Sequence, residues 1–162
     1  MTEDQLNELY KKLIVKIVPM IPVAWEKIYF LGNVDRNKLS WTSVFYFADA
    51  ETGAMVRSHD IPEKYNIHKG TYGDMLRAAD EILLQIYDIA VTNAKVWSQL
   101  TLLIESSRSY KVKYNYQDMR PLGWGQAKVE AIWAYEMFNY IPEDPVMKAQ
   151  LDSYIKGKQE KS

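Results

Sequence analysis

The chain has 162 residues, no cysteine, 12 tyrosines, five tryptophans and a formal net charge of −1. Its length suits one domain whose core needs no metal or disulfide to fold, and the missing thiols exclude disulfide and thiolate chemistry. The near-neutral charge argues against a general nucleic-acid binder, whose usual footprint is a basic surface.

In chain order, the first predicted element is a helix over residues 3–18. Thr2 and Gln5 make a capping-box pattern that satisfies free N–H groups of the first turn. Leu6, Leu9, Tyr10, Leu13 and Ile17 repeat at helical spacing, and Glu3, Asp4 and Lys16 suit the helix dipole. Pro19 and Pro22 end it, because proline has no N–H and its ring clashes with the preceding turn. Lys11-Lys12 before an apolar run imitates a signal peptide. Glu3, Asp4 and Glu8 spoil its charged start, Lys16 splits the run, and no small-x-small cleavage site follows. No segment reaches the roughly 18 apolar residues that a membrane span needs. A cytoplasmic protein without a membrane segment is therefore expected.

Three strands are predicted next, at 25–31, 41–48 and 54–58, with turn residues at 35–38 and 49–53. Connections this short favour an antiparallel meander. In the middle strand Trp41, Ser43, Phe45 and Phe47 share one face, and Thr42, Val44 and Tyr46 share the other. The second helix has the clearest pattern in the chain: Tyr72, Met75, Leu76, Ala79, Ile82, Leu83, Ile86 and Ala90 fall at steps of three and four. Thr71 is its expected N-cap, and Leu76, Ile82, Leu83 and Ile86 are its expected buried residues. A hairpin follows, 99–105 and 110–116, turning at Ser106-Ser107-Arg108. Its second strand alternates, with Tyr110, Val112, Tyr114 and Tyr116 on one face. Residues 120–125 read as a loop and 126–139 as a helix. A last helix begins at Asp144 as N-cap with Pro145 in the first turn, and is expected to fray after Gly157. The order α-β-β-β-α-β-β-α-α predicts an α+β fold: a five-stranded antiparallel sheet with helices packed on it. The chain is read as one domain, 1–162, with a helical C-terminal extension from about 144, monomeric or weakly associating.

Signals for chemistry are sparse. His59, Asp60, Glu63 and His68 form the one conceivable metal or enzyme site, but no dense zinc-type spacing is present. His59 and Asp60 are adjacent, so on a strand they point to opposite faces, and nothing resembles a nucleophile elbow for a serine triad. Gly123-Trp124-Gly125 begins a dinucleotide fingerprint whose third glycine would fall at Lys128, so the pattern fails. Ser153-x-x-Lys156 lies on a terminal helix with no partner motif. The tyrosine stripe suits base stacking, core packing or a protein contact. Without a basic excess, core packing is preferred for Val112 and Tyr114, and an interface for Tyr116. No catalytic, metal or cofactor residue is assigned.

Five segments carry a resemblance, in order along the chain: Trp25-Glu26-Lys27-Ile28-Tyr29 after the two prolines, Ser58 through Ile67, Trp97-Ser98, Lys111 through Asp118, and Ile132-Trp133-Ala134-Tyr135 with Ile141-Pro142-Glu143. Together they resemble the YezG/EsaG-like immunity proteins. Two departures stand out: Asn115 occupies a position where that family often has aspartate, and the second helix is less acidic than the resemblance leads one to expect. The resemblance implies a cytoplasmic antitoxin of Gram-positive bacteria that binds a cognate LXG/type VII secreted nuclease toxin by direct contact and has no activity of its own. A small metal-dependent enzyme at His59, Asp60, Glu63 and His68, or an interaction module without a toxin, are the alternatives.

Local charge offers a candidate surface. Residues 114–144 hold five acids against Arg120 and Lys128, and residues 72–93 hold four acids against Arg77. Such acids would be steered toward the cationic phosphate-binding site of a nuclease. The segment from Tyr116 to Trp124 combines aromatic anchors with polar groups, the usual makeup of an interface hot spot. The expected partner-binding residues are Tyr116, Asp118, Arg120 and Trp124, joined by Glu143 and Asp144 if the last helix folds back. The competing place for Trp124 is as the hydrophobic plug of the following helix.

Overall fold

The first helix, α1 (Thr2–Ile17), buries Leu9, Tyr10, Leu13, Ile14 and Ile17 along one face. Leu6, at the outer end of the stripe, is only partly buried. Pro19 sits in a 3-10 turn, Val18–Met20, closed by the Ile21 N–H donating to the Val18 carbonyl at 3.1 Å. The computed structural model describes residues 2–35 and 40–161; Arg36, Asn37 and Lys38 of the expected first turn lie outside the described residues.

The sheet is assembled from β1 (Trp25–Val34), β2 (Trp41–Asp49), β3 (Met55–Arg57), β4 (Gln99–Glu105) and β5 (Tyr110–Asn115). Its strand order is β3-β2-β1-β4-β5, with every neighbouring pair antiparallel. The α+β architecture expected from the sequence is the one observed. β1 runs to Val34, past the expected end at 31, because its tail stays paired with Trp41, Thr42 and Ser43 of β2. The β2–β3 turn is built by Asp49, whose carboxylate accepts from the N–H groups of Glu51 and Thr52, while Gly53 takes the positive φ of 74°.

Between β3 and the long second helix the chain forms a short helix, α2 (Ile61–Lys64), where a plain connection was expected. Pro62 lies in its first turn, where the missing N–H costs nothing. The long helix, α3 (Lys69–Thr92), starts two residues before Thr71. Its N-cap is His68, whose Nδ1 accepts from the Thr71 N–H at 3.3 Å. Thr71 is thus inside the helix, and Asp74 pairs with Arg77 one turn on. Ile82, Leu83 and Ile86 are buried as expected, but Leu76 only partly; Tyr72, Ala79 and Tyr87 complete the inner face. α1 and α3 pack together over one face of the sheet, against Ile28, Phe30, Phe45, Phe47, Leu100 and Leu102. Gly32 lets α3 approach β1: a Cβ there would lie 2.5 Å from Leu83 Cδ1.

The other sheet face carries a row of side-chain hydrogen bonds across four strands. Asn115 Nδ2 donates to Gln99 Oε1 at 2.7 Å, Gln99 Nε2 to Asn33 Oδ1 at 3.0 Å, and Asn33 Nδ2 to Thr42 Oγ1 at 3.3 Å. These four residues lie directly opposite one another in the strand register.

The chain divides into two compact units, 1–118 and 119–162. The second holds α4 (Gln126–Phe138) and α5 (Pro145–Lys161), whose shared core is Ala131, Ile132, Met147 and Leu151. Asn139 closes α4 in the left-handed conformation rather than extending it. α5 continues through Gly157 to Lys161, so the expected fraying does not occur. Among the described residues no helix is long and apolar enough to cross a membrane.

Candidate partner-binding surface

The end of β5 is held by Trp97 and Ser98. The Ser98 N–H donates to the Asn115 carbonyl at 2.8 Å, and the Ser98 hydroxyl donates to the carbonyls of Asn115 and Gln117. On the other side, the Ser98 carbonyl accepts from the Val34 N–H at 3.0 Å. One dipeptide thus ties the last residues of β1 and β5 together and fixes where Tyr116 leaves the sheet. β5 ends at Asn115, so Tyr116 lies just past the strand. Tyr110, Val112 and Tyr114 pack on the core, as their stripe predicted for the latter two, while Tyr116 is 52% exposed.

These aromatics form a ladder. Tyr87 meets Trp97 edge-on at 5.1 Å, Trp97 lies 5.5 Å from Tyr114, and Tyr114 lies 6.0 Å from Tyr116. The Tyr10 and Tyr114 hydroxyls hydrogen-bond to each other. Burial pushes both phenols upward from their ordinary value. Beside the ladder opens a cleft of about 390 Å³, between the start of α1, the end of α3 and β5. Sequence reasoning missed it, since its walls come from residues as distant as Thr2 and Tyr116.

In the second unit, Arg120-Pro121-Leu122 forms a 3-10 turn capped by Gly123 at φ 65°, and Gly125 is the N-cap of α4. Between the two glycines, Trp124 is half-buried. Its ring meets Tyr154 edge-on at 5.9 Å, and Lys128 Nζ lies 5.5 Å above it. That is the plug arrangement. Tyr154 in turn donates to Glu136, whose carboxylate, aided by burial, pushes the phenol up to about 12. Asp144 is the N-cap anticipated for α5: its Oδ2 accepts from the Met147 N–H at 2.9 Å. Glu143 is exposed beside it. Because Trp124 packs on Tyr154, roughly ten residues and about 15 Å along α5 from Asp144, the helical pair does fold back, but with Glu143 and Asp144 at its opposite end.

The histidine region has a structural explanation. Ser58 is fully buried; its hydroxyl accepts from the Phe45 N–H at 3.1 Å and contacts His59 Nδ1, while its carbonyl accepts from the Tyr72 hydroxyl at 2.7 Å. His68 caps α3. Among the described residues, no three of His, Asp and Glu are grouped as a metal site would require.

A family model for YezG-like immunity proteins matches residues 6–152. The chain is 30% identical over 151 residues to the Immunity protein YezG of Bacillus subtilis, covering 93% of this chain and 99% of that relative. It is 26% identical over 159 residues to the Immunity protein YezG of Bacillus spizizenii, covering 96% of each. To the Type VII secretion system protein EsaG of Staphylococcus aureus it is 23% identical over 162 residues, covering 98% of each. The chain therefore belongs to the YezG-like immunity protein family.

Proposed function

We propose that this protein is a cytoplasmic antitoxin that binds and neutralises a cognate type VII/LXG secreted nuclease toxin by direct contact, without catalysis, metal or cofactor of its own. The observation that carries this reading is the family match, which runs through almost the whole chain and includes both units. The relatives named as immunity proteins and as a type VII secretion system protein supply the direction of the function. An antitoxin must meet its toxin before export, hence the cytoplasm. Its expected form is a single immunity domain across both units, monomeric or weakly associating.

For direct contact we favour Tyr116, Asp118, Arg120 and Glu143. Exposure supports Tyr116, Arg120 and Glu143. Trp124 and Asp144 contribute by shaping the surface, since one packs on Tyr154 and the other caps α5.

Co-purification with the nuclease domain of the proposed cognate toxin, and survival of cells expressing both, test the function. A wild-type chain that neither binds nor protects sinks it. A paired comparison tests the site. Asp118→Ala is expected to weaken toxin binding with little change in melting temperature, by on the order of 2 kcal/mol if it is a hot spot. Trp124→Ala is expected to lower the melting temperature instead. The reverse pattern would put Trp124 at the contact and Asp118 outside it.

A further inference from the structure

We infer that the cleft beside the aromatic ladder receives one large apolar side chain of the protein partner, with an acidic group next to it. The inference rests on the antitoxin reading and names the surface and the chemistry that the reading leaves open.

Three observations carry it. The cleft walls are apolar and aromatic, formed by Leu6, Ile86, Ile89, Ala90, Trp97 and Tyr114, and the volume of about 390 Å³ is ample for a leucine or an aromatic ring. Such a lined pocket is where interface hot spots seat their anchors. Second, Trp97 is 1% exposed, and its Nε1–H has no hydrogen-bond partner among the described residues. A buried donor left unpaired is costly, and an occupant whose seating brings an oxygen acceptor to this indole would recover what the free protein forgoes. Third, the rim is charged. Lys95 lines the cleft two residues before Trp97, and Glu3 lines it from α1. Neither has an ion pair among the described residues. Lys95 at the rim calls for a carboxylate next to the apolar anchor, and Glu3 suits a cation of the same partner. Tyr116, at the outer end of the ladder, covers the seated side chain from the solvent side.

The test uses the 162-residue chain and the nuclease domain of the proposed cognate toxin. Ala90→Phe fills the cleft, and Lys95→Glu reverses the rim charge. Each is expected to weaken binding at least tenfold with the melting temperature unchanged, and the Lys95→Glu loss should shrink at high salt. In ¹⁵N-labelled wild-type protein, the Trp97 indole N–H resonance, assigned with Trp97→Phe, should move downfield when the toxin domain saturates the chain. If the wild type binds, both variants bind within twofold of it and the indole resonance stays in place, the cleft is not the dock and the antitoxin reading survives. Should the variants prove unstable, the indole resonance decides alone, and its failure to move overturns the inference. Absence of binding by the wild type defeats both readings together.

Discussion

The two units of this chain solve the same burial problem on different scales. The first covers one face of a five-stranded sheet with two long helices, and its core runs without a break from Leu9 to Ile104. The second is a helical hairpin whose two helices share a small buried cluster, Ala131, Ile132, Met147 and Leu151. It makes up the difference with half-buried groups at its margin: Trp124 on Tyr154, Lys128 over Trp124, and Tyr154 on Glu136. Surface near a large core can be spent on recognition. Surface near a small one is already engaged in holding the fold. In the proposed reading, that contrast favours Tyr116, at the border of the large core, over Trp124 as an anchor for a partner, although both are aromatic residues in the same stretch of sequence.

The comparison is broken or sharpened most strongly by core truncation. Leu83→Ala leaves a cavity walled by helix and strand that cannot close, and is expected near the top of the range of about 2–5 kcal/mol. Leu151→Ala sits between two helices that can draw together, and is expected near the bottom of that range. Equal losses in chemical denaturation would mean the second core is as rigid as the first. Next is Gly32→Ala, which drives a methyl group into Leu83 and should cost about 1–3 kcal/mol by overpacking. A neutral result would show that α3 is free to shift off the sheet. Asp144→Ala removes the cap of α5 and should cost about 1 kcal/mol, read from the melting temperature.

The smallest effect concerns pH. Burial raises the Asp80 carboxyl above its ordinary value, against the lowering pull of the Ser43 hydroxyl that donates to it. Between the unfolded value near 3.8 and the raised folded one, the folded state binds more protons than the unfolded state. This group's contribution to stability therefore falls as pH rises through that window. Asp80→Asn keeps an acceptor for Ser43 and removes that decline. Stability profiles of the two proteins should run parallel only above and below the window; parallel curves throughout would show that Asp80 titrates normally.

Much of the fold was legible because its signals are local. The steps of three and four in α3 and the alternation Tyr110, Val112, Tyr114 need no knowledge of distant residues. The structure departs from the expected elements where a second local preference overrides the expected one. His68 caps α3 ahead of Thr71, and Pro62 opens a helical turn where its neighbours suggested only a connection. The site was less legible, since its parts are joined only by register. Nothing around Lys95 or Glu3 in the sequence reveals that they line one cleft, and nothing near Trp124 reveals that Glu143 and Asp144 sit at the far end of the hairpin.

The hydrogen-bonded row from Asn115 through Gln99 and Asn33 to Thr42 has a consequence for how the sheet finds itself. Each amide donates in the same direction, toward β2, so the row acts as a key that fits only one register of the four strands. A slip of one residue turns the key to the other face, and a slip of two on β1 sets Leu31 against Gln99, leaving an amide with nothing to grip. Asparagine at 115 gives the key its sense. An aspartate there can only accept, which would force Gln99 to reverse and the whole row to read backwards. Strand register here is thus favoured by side chains that contribute little to the core.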